Sequence, residues 1–325
     1  MARRAIAKTF LGLALIAPAL TVSPVLNSSS AAQASEALIT NQLSDSLSVI
    51  DLATFKSLAE IKIGGKPAGI ALSPDKSVAY VTAPESHELV EVDAVARAVK
   101  RRLTIGGGPL GIAAHPSRGE VYVADWYAHK IAVVDAVSLT VVAEIPVGQS
   151  PSGLAVTPDG TLLLSADRDS NQVSVIDLAK RAVVTTIPAG ERPFGVTIDA
   201  AGAFAYTANV GSNDVTVIDM GSRTAAGSIK VGHRPYAVGL AGGRGFATDQ
   251  GVGTISVFDI ATRHPVKTIE ACDHPEGIEA SPDGSAIYAA CWGDNIVLKI
   301  DVKSLQILAK IPVGDGPRAF GKFLR

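Results

Sequence analysis

Apolar and polar positions alternate along most of this chain in short runs, and the runs recur at a fixed spacing. One of them, Ser174-Val175-Ile176-Asp177, is an alternating strand that ends on a carboxylate. The same form returns as Ser48-Val49-Ile50-Asp51, Glu91-Val92-Asp93, Val133-Val134-Asp135, Thr216-Val217-Ile218-Asp219, Val257-Phe258-Asp259 and Lys299-Ile300-Asp301. The step between successive aspartates is 42 residues, and once 40. A second marker keeps the same steps: Pro67, Pro109, Pro151, Pro193, Pro235, Pro275 and Pro317. A period of this length fixes the architecture before any single residue is interpreted.

The unit that begins at Pro151 shows the elements. Ser152 to Thr157 reads as a strand, and Pro158-Asp159-Gly160 as a tight turn. Thr161 to Ala166 is a second strand, followed by the polar loop Asp167 to Asn171. Gln172 to Asp177 is a third, and Ala182 to Ala189 a fourth. Four short strands per unit of ~40–45 residues are the pattern of a propeller blade. Val, Ile and Thr dominate the strands, as a buried pleat prefers. Two positions after each proline stands a small residue: Gly69, Gly111, Gly153, Gly195, Ala237, Gly277 and Ala319. Innermost strands that crowd round an axis need that lack of bulk.

The ends explain closure. Ala37 to Asn41 reads as a second strand with no first strand before it, and Pro317 to Arg325 as a first strand with nothing after it. Joined, they complete one blade and remove two sheet edges. The chain is therefore predicted to be all-β, a seven-bladed β-propeller with four antiparallel strands per blade. Its C-terminal strand is innermost and joins three N-terminal strands. The unit from Pro235 is two residues shorter, because Ala241-Gly242-Gly243 replaces the longer first turn.

Residues 1–34 fall outside the repeat. Arg3, Arg4 and Lys8 precede a short apolar run from Phe10 to Leu20, and Ala32-Gln33-Ala34 offers a small-x-small cleavage site. This is the pattern of a secretory signal peptide, with a propeller over 35–325 as the mature domain and a periplasmic or secreted location. No later run is long enough to span a membrane. Without the leader's three basic residues, 26 of the 29 remain against 31 acidic ones, a net charge of −5. That balance argues against nucleic acid as a partner.

The second strands read Leu38-Ile39-Thr40-Asn41, Tyr80-Val81-Thr82-Ala83, Tyr122-Val123-Ala124-Asp125, Tyr206-Thr207-Ala208-Asn209, Phe246-Ala247-Thr248-Asp249 and Tyr288-Ala289-Ala290-Cys291. With the Val-Ile-Asp strand and the Pro-x-Gly opening, the chain resembles the YVTN-type β-propeller repeat family, YncE-like proteins among them. Leu164-Ser165-Ala166-Asp167 departs most from the motif. The resemblance implies the fold and, through one subgroup, an association with pyrroloquinoline-quinone-dependent catabolism. It supplies no shared catalytic motif, so no catalytic residue, cofactor or metal ligand is assigned.

Candidate chemistry lies where units differ. Around the prolines, five adjacent blades present Arg192, Arg234, His274, Arg318 and Lys66, a cationic arc suited to carboxylate or phosphate. The same charges could instead be solvated, or paired with Glu191, Asp273, Glu276 and Asp315. Trp126 and Trp292 share one repeat position on the same face, where they either recognise a ligand or pack on neighbouring loops. Glu279 stands on an innermost strand where other units have Ala71, Ala113, Ala155, Thr197, Gly239 and Gly321. It is either a hydrated channel carboxylate or a functional group. Cys272 and Cys291 replace a repeat glycine and the Asn or Asp that ends the second strand. A disulfide is expected between them, with paired thiols or a zinc site shared with Asp273 and His274 as alternatives.

Two functions follow. One is an exported, non-catalytic, monomeric binding protein that holds a small anionic molecule or a periplasmic protein on this face, at Lys66, Trp126, Arg192, Arg234, His274, Glu276, Glu279, Trp292 and Arg318. It could serve a quinone-dependent oxidation system. The other is a lactonase- or lyase-type enzyme, which needs His274, Glu276 or Glu279 to converge in one pocket.

Overall fold

The computed structural model describes residues 1, 2, 5 and 35–325. Apart from those three positions, the stretch read as a leader lies outside the described residues. From Ser35 onward the strands form seven blades. Blades 1 to 6 begin at Gly69, Pro109, Pro151, Pro193, Pro235 and Pro275, and each is a four-stranded antiparallel meander. Blade 7 holds Glu36–Asn41, Ser46–Asp51 and Lys56–Lys62 from the N-terminal side. The C-terminal segment completes it. Asn41 bridges Pro317 and Ala37 bridges Leu324, both antiparallel. Leu38 N donates to Phe323 O at 2.9 Å, and Arg318 N to Thr40 O at 2.8 Å.

The closing segment is bonded on its other side as well. Phe320–Gly321 runs parallel to the innermost strand of blade 1, Gly69–Leu72. Lys322 N donates to Ile70 O at 3.0 Å. One segment therefore ties the last blade to the first.

The repeat residues now have physical roles. Each Val-Ile-Asp aspartate caps the turn between the third and outer strands: Asp51 Oδ1 accepts from Ala53 N and Thr54 N, both at 2.8 Å, and Asp177 and Asp301 repeat the arrangement. The aromatic of the second strand fills the slice between blades. Tyr122 of blade 2 is buried in a cluster that includes Leu154, Leu163 and Ile176 of blade 3. Full burial of one such aliphatic side chain is worth about 1.5–3 kcal/mol. The threonine stitches blade to blade. Thr40, Thr82 and Thr248 donate to the carbonyls of Ala68, Leu110 and Glu276, each on the following blade, at 2.7–2.8 Å. The terminal Asn or Asp turns inward to cap its own blade. Asp167 accepts from Ser165, Ser174 and Gly148 N, and Asp249 from Thr254, Ser256 and Gly232 N.

Innermost strands approach one another so closely that a Cβ at Gly195 would stand 2.6 Å from Tyr236 O, and one at Gly153 2.5 Å from Phe194 O. In the shortened blade 5, Gly242 and Gly243 join the first two strands with φ of +56° and +73°, the two-residue turn that favours glycine.

Candidate functional site

The loops before each proline and after each second strand share one end of the propeller, here the upper face. At its centre the axis is closed by side chains. Phe194 of blade 4, Tyr236 of blade 5 and Phe320 of blade 7 have ring centroids 4.6, 5.1 and 5.3 Å apart. Blades 4 and 7 are not neighbours, so these rings can meet only across the axis. All three are buried. Tilted and edge-on aromatic pairs of this kind add about 0.5–1.5 kcal/mol each beyond their area. Trp126 of blade 2 leans onto the same plug, 6.3 Å from Phe194, and the Arg168 guanidinium lies 5.4 Å over its ring.

The residue beside the plug that reads as most cationic is neutralised. Arg318 Nε donates to Glu276 at 2.8 Å and its Nη2 to the Tyr236 hydroxyl at 2.9 Å. Gln250 donates to the other oxygen of Glu276 at 2.7 Å. Glu276 is buried and both its oxygens are occupied, which makes this a satisfied polar network rather than a reactive group. Burial also pushes the Tyr236 phenol well above the usual tyrosine range.

The five-membered arc is thereby reduced. Lys66 pairs with Asp45 at 3.4 Å, and His274 Nδ1 lies 2.6 Å from Asp273. Arg192 and Arg234 remain. Both are exposed, and among the described residues neither side chain has an ion-pair or hydrogen-bond partner. Their backbones are nonetheless fixed alike. Each sits at positive φ, with its N–H held by an asparagine of the preceding blade, Asn171 at 2.8 Å and Asn213 at 2.9 Å. The repeat therefore presents two unpartnered guanidinium groups from one register on adjacent blades.

The tryptophans belong to the packing more than to the solvent. Trp292 Nε1 donates to Gln42 at 3.1 Å, and its ring stands 6.0 Å from His274. The exposed aromatic here is Tyr127, at 73%.

Glu279 is not part of this face. It lies on the axial channel below the plug, three residues along the same innermost strand as Glu276, or about 10 Å at strand rise. His274, Glu276 and Glu279 do not converge. Glu279 Oε2 accepts from Phe323 N at 2.6 Å and Leu324 N at 2.9 Å. It thus serves two backbone donors of the closing segment. Burial pushes its carboxyl above the usual range, against the pull of Lys322 and the two N–H groups.

Cys272 and Cys291 form a disulfide within blade 6. It occupies the place where Asp167 and Asp249 hydrogen-bond the N–H of Gly148 and Gly232 in blades 3 and 5. A covalent link replaces the polar cap. With both sulfurs bonded, the two thiolates that a zinc site would need are gone. Among the described residues no group of three or more His, Cys, Asp or Glu could hold a metal ion, and no helix is long and apolar enough to cross a membrane.

Sequence reasoning missed the plug. Phe194 and Tyr236 were visible after their prolines, but Phe320 sits two positions further along its unit, and only ring closure brings it to the others.

A closed ring of seven four-stranded blades, with a plugged axis and loops gathered on one face, defines a repeat β-propeller. The chain belongs to the YNCE-like β-propeller family, whose model matches residues 2–323. No curated protein matches it significantly. Among solved structures, hydrazine synthase of Kuenenia stuttgartiensis is similar, with a TM-score of 0.77 and 21% identity over 84% of this chain and 93% of that one. A functionally unknown protein of Desulfotomaculum acetoxidans aligns with a TM-score of 0.74 and 15% identity over 87% and 99%. Dihydro-heme d1 dehydrogenase NirN, in complex with DHE, gives 0.69 and 15% over 92% and 77%. At these identities the likeness is one of fold.

Proposed function

We propose that this protein is an exported, non-catalytic propeller that holds a small anionic molecule on its upper face, between Arg192 and Arg234. The observation that carries the reading is that pair. They share one register on adjacent blades, their backbones are fixed by Asn171 and Asn213, and neither has an acidic partner among the described residues. Arginine presents a planar fork that matches carboxylate or phosphate, and a fixed backbone lowers the ordering cost of binding. Both arginines come from one chain, so a monomer suffices. The basic, apolar and small-residue pattern of the first 34 residues supports export, and the disulfide is at home in an oxidising compartment. Service to a quinone-dependent oxidation system has only the family resemblance behind it.

A thermal-shift screen tests the reading, with phosphate, succinate and citrate against a neutral diol and an alkylamine. The polyanions raise the melting temperature of the wild type, and Arg192→Ala with Arg234→Ala removes the shift. Both side chains are exposed, so the double variant keeps its fold. Equal shifts in wild type and variant, or no shift with any anion, rule the site out.

A further inference from the structure

Below the aromatic plug the axis opens into a cavity of about 420 Å³, within the range of small-molecule pockets. Its upper end is closed by Phe320, and its rim at the lower face carries Pro116, Pro158, Asp199 and Lys322. The wall is largely methyl groups and glycine backbone, among them Ala71, Ala113, Ala155 and Gly239. Thr197 interrupts it, but its hydroxyl donates to Val238 O at 2.7 Å.

Glu279 is the exception. It is 9% exposed, and its two oxygens differ. Oε2 takes both backbone N–H donors of the closing segment. Oε1 has no hydrogen-bond donor; the nearest charge is Lys322 Nζ at 3.7 Å, on a side chain that is 70% exposed, and Lys76 acts on the same carboxyl from further off. A solvent-exposed ammonium compensates a buried carboxylate weakly. One carboxylate oxygen therefore faces the channel without a close donor, free to accept one from a molecule in the cavity.

We infer that the lower channel is a binding site for a small apolar molecule with an ammonium head, the head received by Glu279 Oε1 and the body by the alanine-lined wall. An ammonium suits this oxygen better than a hydroxyl because it makes the charge-assisted hydrogen bond that Lys322, at 3.7 Å, does not make. A carboxylate of the same shape brings no donor for Oε1 and faces Glu279 and Asp199 in the cavity lining. The site is separated from the upper face by the plug, so it takes ligands of the opposite charge and stands or falls independently of the arginine pair.

Titration calorimetry with three probes of one shape, benzylamine, benzyl alcohol and benzoate, tests the inference on the full chain. Benzylamine binds at least tenfold more tightly than benzyl alcohol, and benzoate does not bind. Glu279→Gln keeps an acceptor for Phe323 N and Leu324 N and removes the preference for amine over alcohol. Ala155→Leu narrows the channel and abolishes both. Should Glu279→Gln fail to fold, Ala155→Leu alone still decides the location. Equal binding of amine and alcohol by the wild type, unchanged binding by Ala155→Leu, or no binding of any probe overturns the inference.

Discussion

Thr82 shows how much one repeat residue carries. Its hydroxyl accepts from Gly69 N and donates to Leu110 O, which joins the first two strands of blade 1 to blade 2. Alternation marks such a residue only as strand-compatible; its acceptor lies 28 positions away, where the next blade begins. Glu279 poses the same problem more sharply. The carboxylate was legible as an exception on an innermost strand, because every other unit has a small or hydroxylic residue there. Its partners were not, since they belong to the closing segment 44 and 45 positions on. Glu279→Leu leaves two buried backbone donors without an acceptor and is expected to destabilise the fold by about 2–4 kcal/mol. Glu279→Gln keeps an acceptor and costs less than half as much. Urea unfolding of the two variants measures the difference, and equal losses would remove Glu279 from the ring closure.

At the scale of the element, the end of the second strand is capped in two chemical ways. Blades 3 and 5 use a buried carboxylate that accepts serine and threonine hydroxyls and a loop N–H. Blade 6 uses the Cys272–Cys291 bridge across 19 positions. Closing a loop of that size is worth about 3 kcal/mol on a chain-entropy estimate. Cys272→Gly with Cys291→Asp restores the polar cap and is expected to be more stable than Cys272→Ala with Cys291→Ala. Thermal denaturation of the two reduced-free variants distinguishes them, and identical midpoints would contradict the equivalence of bridge and cap. The pairing was legible from the two substituted repeat positions, whereas the hydrogen bond it replaces required the folded blade.

The carboxylate caps carry a pH signature. Burial pushes Asp249 above the usual carboxylate range, against the pull of Ser256 and Thr254. Its contribution to stability is therefore present below the ordinary value of 3.8 and is lost as pH rises through the folded value. Asp75 on the lower face runs the other way. Ser73 and Ser77 hold its carboxyl down to about 2, so its contribution is present above 3.8 and lost as pH falls towards 2. Asn209 fills the register of Asp249 in blade 4 without a charge. Asp249→Asn is thus expected to remove one source of pH dependence, so that the wild type gains stability relative to the variant as pH falls towards 4. Denaturation midpoints across that window check the sign, and parallel profiles refute it.

For the whole molecule, the repeat made blade number, strand order and closure legible, because a period of 42 residues leaves few architectures open. It could not separate paired from unpaired charge. Lys66, His274 and Arg318 read the same as Arg192 and Arg234 along the chain. Asp273 and Glu276 were visible as candidate partners, but that they take His274 and Arg318, and that Asp45 takes Lys66, shows only in the folded chain. Nor could it show that an aromatic plug divides the axis into a cationic upper face and an apolar lower channel, since the three rings come from three separated units.

Calorimetric titration of succinate at two ionic strengths tests the arginine pair most directly. The wild type is expected to bind, with affinity falling as salt screens the exposed charges. Arg192→Lys with Arg234→Lys should weaken binding by losing the planar fork while keeping the charge. Arg192→Ala with Arg234→Ala should release no heat. Wild-type affinity in that last variant would contradict the reading.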